Sequence, residues 1–260
     1  MLKNKGLTIF SCLVFAFLFL PLLLMAVTAF GEASTITFPI EGFTLKWFGN
    51  VFASNAFMEA LKLSTVLALL ATLLGLIIGI PAAYALARYT MKGKAFLKGF
   101  FLSPTIVPGI VVGYAIYQFV VVSLRMPIFE SLLLGHFLVV LPYSIRIVSS
   151  SLEQFDFSIE EVAWTLGCNK WKTFFKIVIP NITSGISAAF MLSFINSFNN
   201  IPVSMFLSGP GVSTLPTALM NHIEYNYDPT VSAISVLLML ATIAIMFVVE
   251  KTLGIAAFTK

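Results

Sequence analysis

Six apolar stretches, each about 20 residues long or longer, dominate this sequence. They run over roughly residues 7–29, 61–86, 97–121, 131–150, 181–206 and 231–253. An α-helix needs about 20 apolar residues to cross the roughly 30 Å hydrocarbon core of a bilayer. The pattern therefore predicts an all-α integral membrane protein with six transmembrane helices.

The shortage of charged residues supports the same conclusion. Charged residues make up 10% of the chain and hydrophobic residues 59%, whereas a soluble domain carries about 25% charged residues. Such a chain cannot cover a soluble core with a polar surface. The first apolar stretch, behind Lys3 and Lys5, is too long for a cleaved signal peptide and is expected to remain as a helix. Residues 1–260 are expected to form a single transmembrane domain.

Lysine and arginine are distributed unevenly between the loops on the two sides of the predicted helices. If the N-terminus is cytoplasmic, three of the fifteen lie outside, namely Lys46, Lys62 and Arg125. The other twelve lie inside: Lys3, Lys5, Arg88, Lys92, Lys94, Lys98, Arg146, Lys170, Lys172, Lys176, Lys251 and Lys260. Cytoplasmic loops of membrane proteins carry such an excess of positive charge. Both termini are therefore predicted to be cytoplasmic.

The net charge of +4 does not indicate nucleic-acid binding, because the basic residues lie in short loops between apolar stretches. Cys12 lies in an apolar stretch and Cys168 in a polar loop, so the sequence predicts neither a disulfide framework nor a metal site.

The loop over about residues 151–180 contains the segment FSIEEVAWTLGCNKWKTFFKIVIP. Ser158 and Glu161 have the spacing of a capping box, and Phe157 and Val162 that of a hydrophobic staple, so a helix is expected to begin at Ile159. Gly167 suits the left-handed position that ends a helix.

A second short helix is expected to follow, with Asn169 as its cap. Its apolar residues have i, i+3, i+4, i+7 spacing and predict an amphipathic helix at the membrane interface; they are Trp171, Phe174, Phe175 and Val178. Pro180 lies where the chain turns into the fifth stretch. On this evidence alone the loop could equally be a plain connector between two spans.

The spacing of these residues resembles the EAA-x3-G-x9-I-x-LP signature of binding-protein-dependent ABC importer permeases. Here it reads Glu161-Val162-Ala163, Gly167 and Ile177-Val178-Ile179-Pro180, with Val162 and Ile179 as conservative departures. The resemblance implies a type I ABC importer permease fold in the bacterial inner membrane, with the loop forming a coupling helix that contacts a cytoplasmic ATPase. The expected coupling residues are Ser158, Glu161, Ala163, Gly167 and Pro180. The chain lacks a phosphate-binding loop, so a separate subunit is expected to hydrolyse ATP, and no enzyme activity or cofactor is expected here.

Polar residues within the apolar stretches are candidates for a solute path. In the fifth stretch, Ser193, Asn196, Ser197 and Asn200 share one helical face and Asn199 is adjacent. In the third stretch, Pro104 and Pro108 predict a broken helix, followed by Tyr114, Tyr117 and Gln118. Hydrogen bonding between helices and simple packing kinks remain open as alternatives. His136 is expected to be satisfied structurally.

Residues 197–216, SFNNIPVSMFLSGPGVSTLP, resemble the corresponding segment of spermidine and putrescine permeases and of related permeases for ferric iron, aminoethylphosphonate and thiamine. The family resemblance implies an ATPase dimer, a second permease subunit, identical or homologous, and an external solute-binding protein, all working within membrane lipid. Members of that group often have acidic residues where this chain has Asn199 and Asn200. An ion-coupled secondary transporter is the alternative, but none of the eleven acids lies centrally in a predicted span.

Overall fold

The computed structural model describes residues 5–209 and 211–253, and most of these residues form helices. Lys3, Pro210 and Lys260, on which the orientation and segment predictions partly rest, lie outside the described residues. The helices are α1 Lys5–Thr28, α2 Lys46–Ala53, α3 Asn55–Arg88, α4 Lys94–Leu102, α5 Gly109–Ile116, α6 Ile128–Glu153, α7 Ser158–Thr165, α8 Lys170–Thr173, α9 Ile179–Asn181, α10 Thr183–Phe198, α11 Ile201–Phe206, α12 Leu215–Asn226 and α13 Thr230–Leu253.

Each of the six apolar stretches is covered by one or more helices, while α2, α7, α8 and α12 lie between the stretches. Within the described residues, three helices are long and apolar enough to cross a membrane, and up to five spans result if each of two bent helix pairs is one span. The three are α1, α3 and α6. The apolar segment Thr230–Ile245 of α13 covers the start of the sixth stretch. The all-α prediction is confirmed.

Two of the spans are broken at proline-containing segments. In the third, a 3₁₀ turn at Ser103–Thr105 follows α4 and the extended Pro108 precedes α5, so the two parts meet at 90°. In the fifth, α9 contains Pro180 and ends before Ile182, and the chain bends by 73° into α10. The break expected in the third span is confirmed, while the fifth span is less regular than a single helix over 181–206.

The described residues divide into two compact units, one of residues 5–59 and 218–247 and the other of residues 60–209, 211–217 and 248–253. In the first unit, Thr28 of α1 and Ser232 of α13 share a hydrogen bond of 3.1 Å between their hydroxyls. Trp47 Nε1 donates to the Gly31 carbonyl over 2.7 Å and ties α2 to the end of α1. The apolar side chains of the 18-residue window of α1 are exposed, which suits a helix surrounded by lipid.

In the second unit, α3 lies against α6 because two glycines allow a close approach. A Cβ atom at Gly75 would lie 2.8 Å from Val140 Cγ1, and one at Gly79 would lie 2.9 Å from Ser144 Cβ. Small residues four positions apart are a usual way for membrane helices to pack closely. The resulting core continues to α10 and contains Leu76, Ala83, Val148, Leu152 and Ala189.

Candidate functional site

The last turn of α3 is bound to α7 by a cluster of charged and aromatic side chains. Arg88 Nε lies 2.9 Å from Glu160 Oε2, and Arg88 Nη2 lies 2.9 Å from Glu161 Oε1. Tyr84 Oη donates a hydrogen bond to the other oxygen of Glu160. One guanidinium therefore holds two consecutive carboxylates of α7.

Glu160 is fully buried, whereas the Glu161 side chain is 60% exposed. Burying a carboxylate is costly unless it is paired with a cation and hydrogen-bonded, and Arg88 and Tyr84 supply these two contacts. The Arg88 guanidinium also lies 5.4 Å from the ring centre of Phe157 and 5.3 Å from that of Trp164. These aromatic faces favour the cation electrostatically.

Sequence reasoning identified Glu161 but missed Glu160, Arg88 and Tyr84. One signal was available, since Glu160 lies three positions before Ala163 and therefore on the same face of the helix. That face is buried, because Ala163 is 6% exposed. Ala163, one of the expected coupling residues, therefore has its side chain directed toward the interior of this chain.

The start of α7 differs from the predicted capping box. Ser158 is the first residue of α7 and its side chain makes no cap, while its backbone N–H donates to Asp156 Oδ1 over 2.9 Å. Hydrogen bonds from Ser158 lower the pKa of the Asp156 carboxyl. Aspartate readily binds a backbone N–H two residues ahead, and Glu161 is already paired with Arg88. The capping-box prediction is therefore wrong.

The predicted staple is also absent. Val162 is 57% exposed, whereas Phe157 packs against the core of the second unit. Phe157 is thus held by the protein interior, which leaves Val162 facing outward.

Gly167 ends α7 as predicted. Its φ of +86° is left-handed, a conformation that costs glycine little. The Gly167 N–H donates to the Trp164 carbonyl and the Cys168 N–H to the Ala163 carbonyl, each over 3.0 Å. These two bonds form a Schellman motif. The predicted cap of the next helix is confirmed as well, because Asn169 Oδ1 accepts from the Lys172 N–H over 2.7 Å.

The apolar residues after Asn169 do not share one face, so the prediction of a simple amphipathic helix is wrong. Phe174 and Val178 are buried in the core, whereas Trp171 is 75% and Phe175 is 61% exposed. A π-helical turn over Phe174–Val178 follows α8 and changes the angular spacing of the side chains. Trp171 and Phe175 stack on each other with ring centres 6.4 Å apart.

An apolar stripe is exposed along α7. Its members are Ile159, Val162 and Leu166, which are 45%, 57% and 80% exposed. Their i, i+3, i+7 spacing places them on one side of the helix. Exposed apolar side chains that form a continuous row often mark a protein contact.

Two of the polar residues predicted to line a path in the fifth span instead join α10 to α6. Ser193 Oγ lies 3.1 Å from Ser144 Oγ, and Ser197 Oγ lies 2.8 Å from His136 Nδ1. All four side chains are buried. The structural role expected for His136 is confirmed, because both of its ring nitrogens are hydrogen-bonded.

The asparagines of this segment differ from one another. Asn200 caps α11, since its Oδ1 accepts from the Val203 N–H over 3.0 Å. Asn196 is half-buried and Asn199 is exposed, and neither side chain has a hydrogen-bond partner within the described part of the chain. In the third span, Tyr114, Tyr117 and Gln118 are all exposed. Of the residues predicted to line a path, these five therefore have side chains without a hydrogen-bond partner among the described residues.

Comparison with known proteins gives matches over most of the chain. The family model described as "Binding-protein-dependent transport system inner membrane component" matches residues 75–253. The spermidine/putrescine transport system permease protein PotC of Escherichia coli (strain K12) is 27% identical over 238 residues, covering 91% of this chain and 89% of PotC. The putrescine transport system permease protein PotI of the same strain is 28% identical over 232 residues, covering 86% of this chain and 82% of PotI.

Two solved structures are similar in fold. A chain of a bacterial ABC transporter involved in import of the acidic polysaccharide alginate has a TM-score of 0.74 and 16% identity, covering 96% of this chain and 98% of that one. A chain of the MetNI methionine ABC transporter has a TM-score of 0.61 and 17% identity, covering 77% and 98%.

Proposed function

Because this chain belongs to the family of inner membrane components of binding-protein-dependent transport systems, and is thus a transport subunit of an ABC importer rather than an enzyme, we propose that its solute is a polyamine. The observation that carries this proposal is the similarity to PotC and PotI over at least 86% of the chain. Both relatives are named for putrescine, and they match segments that include both broken spans.

The solute is tested by direct uptake. The complex is purified with its native ATPase and binding protein, reconstituted into liposomes and supplied with labelled spermidine or putrescine. Aminoethylphosphonate, thiamine and ferric iron serve as competitors. We expect polyamine uptake that depends on ATP and that excess unlabelled putrescine suppresses. Uptake of one of the three competitors in place of a polyamine would assign the chain to a related branch of the family.

We propose that the solute path passes Asn196 and Asn199 of the fifth span and Tyr114, Tyr117 and Gln118 of the third. The two asparagine side chains have no hydrogen-bond partner among the described residues, and the other three residues are exposed. The hydroxyls of Ser193 and Ser197 are already engaged with α6. Asn200 Oδ1 is engaged in capping α11. Ser193, Ser197 and Asn200 are better explained as structural contacts that shape the segment.

Family membership implies an ATPase and a solute-binding protein as partners. We propose that the stripe Ile159, Val162 and Leu166 inserts into a groove of the ATPase, and that Gly167 fixes the angle at which α7 is presented. The exposure of this stripe supports the contact. A second permease subunit, of the same or a related sequence, would complete the path. The distribution of basic residues, twelve on one side of the predicted spans against three on the other, supports a cytoplasmic position for α7 and for both termini.

Thiol labelling tests the orientation. Cys168 lies directly after Gly167 and is partly exposed, and the other cysteine, Cys12, can be replaced by serine as a control. An impermeant maleimide should label Cys168 in inside-out vesicles and not in intact cells. Labelling in intact cells would place α7 outside and would exclude contact with a cytoplasmic ATPase.

A further inference from the structure

We propose that Arg88 is a positioning residue for transport, which fixes α7 to the end of α3 so that a displacement of α7 moves α3 with it. This inference rests on the proposed contact between α7 and an ATPase. Arg88 itself would touch neither the ATPase nor the solute, and it would act through Glu160 and Glu161.

The covalent connections of α7 run to other helices. The chain leads from α6 into α7 and from α8 and α9 into α10. The link to α3 is formed by side chains instead, and it joins residues 72 and 73 positions apart in the sequence. A force applied to α7 would reach α6 and α10 through the backbone, but it reaches the last turn of α3 through Arg88 and Tyr84.

The geometry of the pair resists rotation as well as separation. Arg88 uses Nε for Glu160 and Nη2 for Glu161, each at 2.9 Å. The guanidinium is planar and its donors are fixed relative to each other. Two carboxylates bound at different nitrogens therefore fix both the distance and the orientation of α7, which a lysine with a single ammonium group cannot do.

The receiving helix is suited to pass a displacement onward. α3 is one helix of 34 residues that contains Pro81 and ends at Arg88. It lies against α6 at Gly75 and Gly79, about two and a half to three and a half turns before Arg88. A movement imposed at the end of α3 would therefore act on the α3–α6 contact. Ser144 of α6 lies at this contact and is hydrogen-bonded to Ser193 of α10, so the movement would reach α10 as well.

The two carboxylates allow the positioning role to be separated from folding. Glu160 is buried, so removing its partner affects stability as well as geometry. Glu161 is 60% exposed, and exposed ion pairs contribute little to stability. Glu161→Gln should therefore leave the fold intact while it releases one of the two attachments. Lys98 and Glu153 form another ion pair in the same unit, at 3.7 Å and largely exposed, and Lys98→Gln is the matched control.

The experiment compares Arg88→Gln, Arg88→Lys, Glu161→Gln and Lys98→Gln in the complete complex with its ATPase and binding protein in liposomes. The measured quantity is the amount of solute imported per ATP hydrolysed, with ATPase association checked by co-purification. We expect Arg88→Gln to lower this ratio about five- to tenfold while the ATPase remains bound. Arg88→Lys and Glu161→Gln should give intermediate ratios, and Lys98→Gln the wild-type ratio.

An unchanged ratio in both Arg88→Lys and Glu161→Gln would overturn the proposal, and so would a parallel loss of hydrolysis and uptake that leaves the ratio constant. If Arg88→Gln does not assemble, the other two variants decide. Failure of the proposed function gives a different result, since the wild-type chain would then bind no ATPase or import no solute.

Discussion

His136 Nδ1 lies 2.8 Å from Ser197 Oγ, and the other ring nitrogen lies 3.0 Å from Ser204 Oγ. Ser197 belongs to α10 and Ser204 to α11, on either side of the break at Asn199 and Asn200. One buried side chain of α6 therefore holds both parts of the broken span. The exposed Asn199 is thus presented between two fixed points.

This arrangement predicts different results for Ser197 and Asn199. Ser197→Ala removes an interhelical hydrogen bond and should lower the stability of the chain by about 0.6 kcal/mol, without changing which solutes compete for uptake. Asn199→Ala removes an exposed amide and should lower uptake with stability unchanged. Thermal unfolding in detergent and competitive uptake in liposomes measure the two effects.

Charge at residue 199 should alter solute preference. Asn199→Asp adds a carboxylate to the proposed solute path, where it would attract cations and repel anions. Uptake of putrescine relative to aminoethylphosphonate should rise, with Asn181→Asp as a control at an exposed asparagine outside the proposed path. An equal ratio in the two variants would remove Asn199 from the path.

Gly167 should tolerate asparagine but not valine. A Cβ atom at Gly167 would meet no atom within 4 Å, so strain would come from the backbone alone. Left-handed φ costs most residues roughly 1–2 kcal/mol, while asparagine adopts it readily. Gly167→Val should therefore weaken ATPase association and transport, whereas Gly167→Asn should retain both. Co-purification of the ATPase and solute uptake measure the outcome, and equal behaviour of the two variants would show that the angle after α7 is unimportant.

The sequence was sufficient for features that depend on residue type or local spacing. The apolar stretches follow from their length, the break after α4 from Pro104 and Pro108, and the end of α7 from Gly167. The link between Arg88 and Glu160 could not be predicted, because it joins residues 72 positions apart and depends on how α3 packs.

Two local predictions failed because more than one residue could satisfy the same pattern. Asp156 and Ser158 are both good acceptors for a backbone N–H, and the burial of Phe157 fixes where α7 begins. The four apolar residues after Asn169 fit an α-helical face, but the π-helical turn at Phe174–Val178 separates them. In the fifth span, the serines and asparagines share a helical spacing, yet packing against α6 divides them into buried contacts and free amides.

The apolar stripe on α7 should be required for ATPase binding. Leu166 is 80% exposed, and burying a leucine side chain in an interface contributes about 1.5–3 kcal/mol. Leu166→Asp should therefore weaken co-purification of the ATPase. Thr165→Asp adds the same charge to the neighbouring exposed position, outside the stripe, and should have a smaller effect. Equal losses in both variants would indicate a general effect of charge at this end of α7.

The close approach of α3 and α6 should make Gly79 intolerant of a large side chain. A Cβ atom at Gly79 would lie 2.9 Å from Ser144 Cβ, whereas one at Gly99 of α4 would meet no atom within 4 Å. Overpacking a close contact costs typically about 1–3 kcal/mol, so Gly79→Leu should lower the thermal unfolding temperature in detergent. Gly99→Leu, also within a helix, should leave it unchanged or raise it, because leucine has the higher helix propensity. The α3–α6 contact would prove adaptable if both variants unfolded at the same temperature, and α3 would then be less able to transmit a displacement from Arg88 to α6.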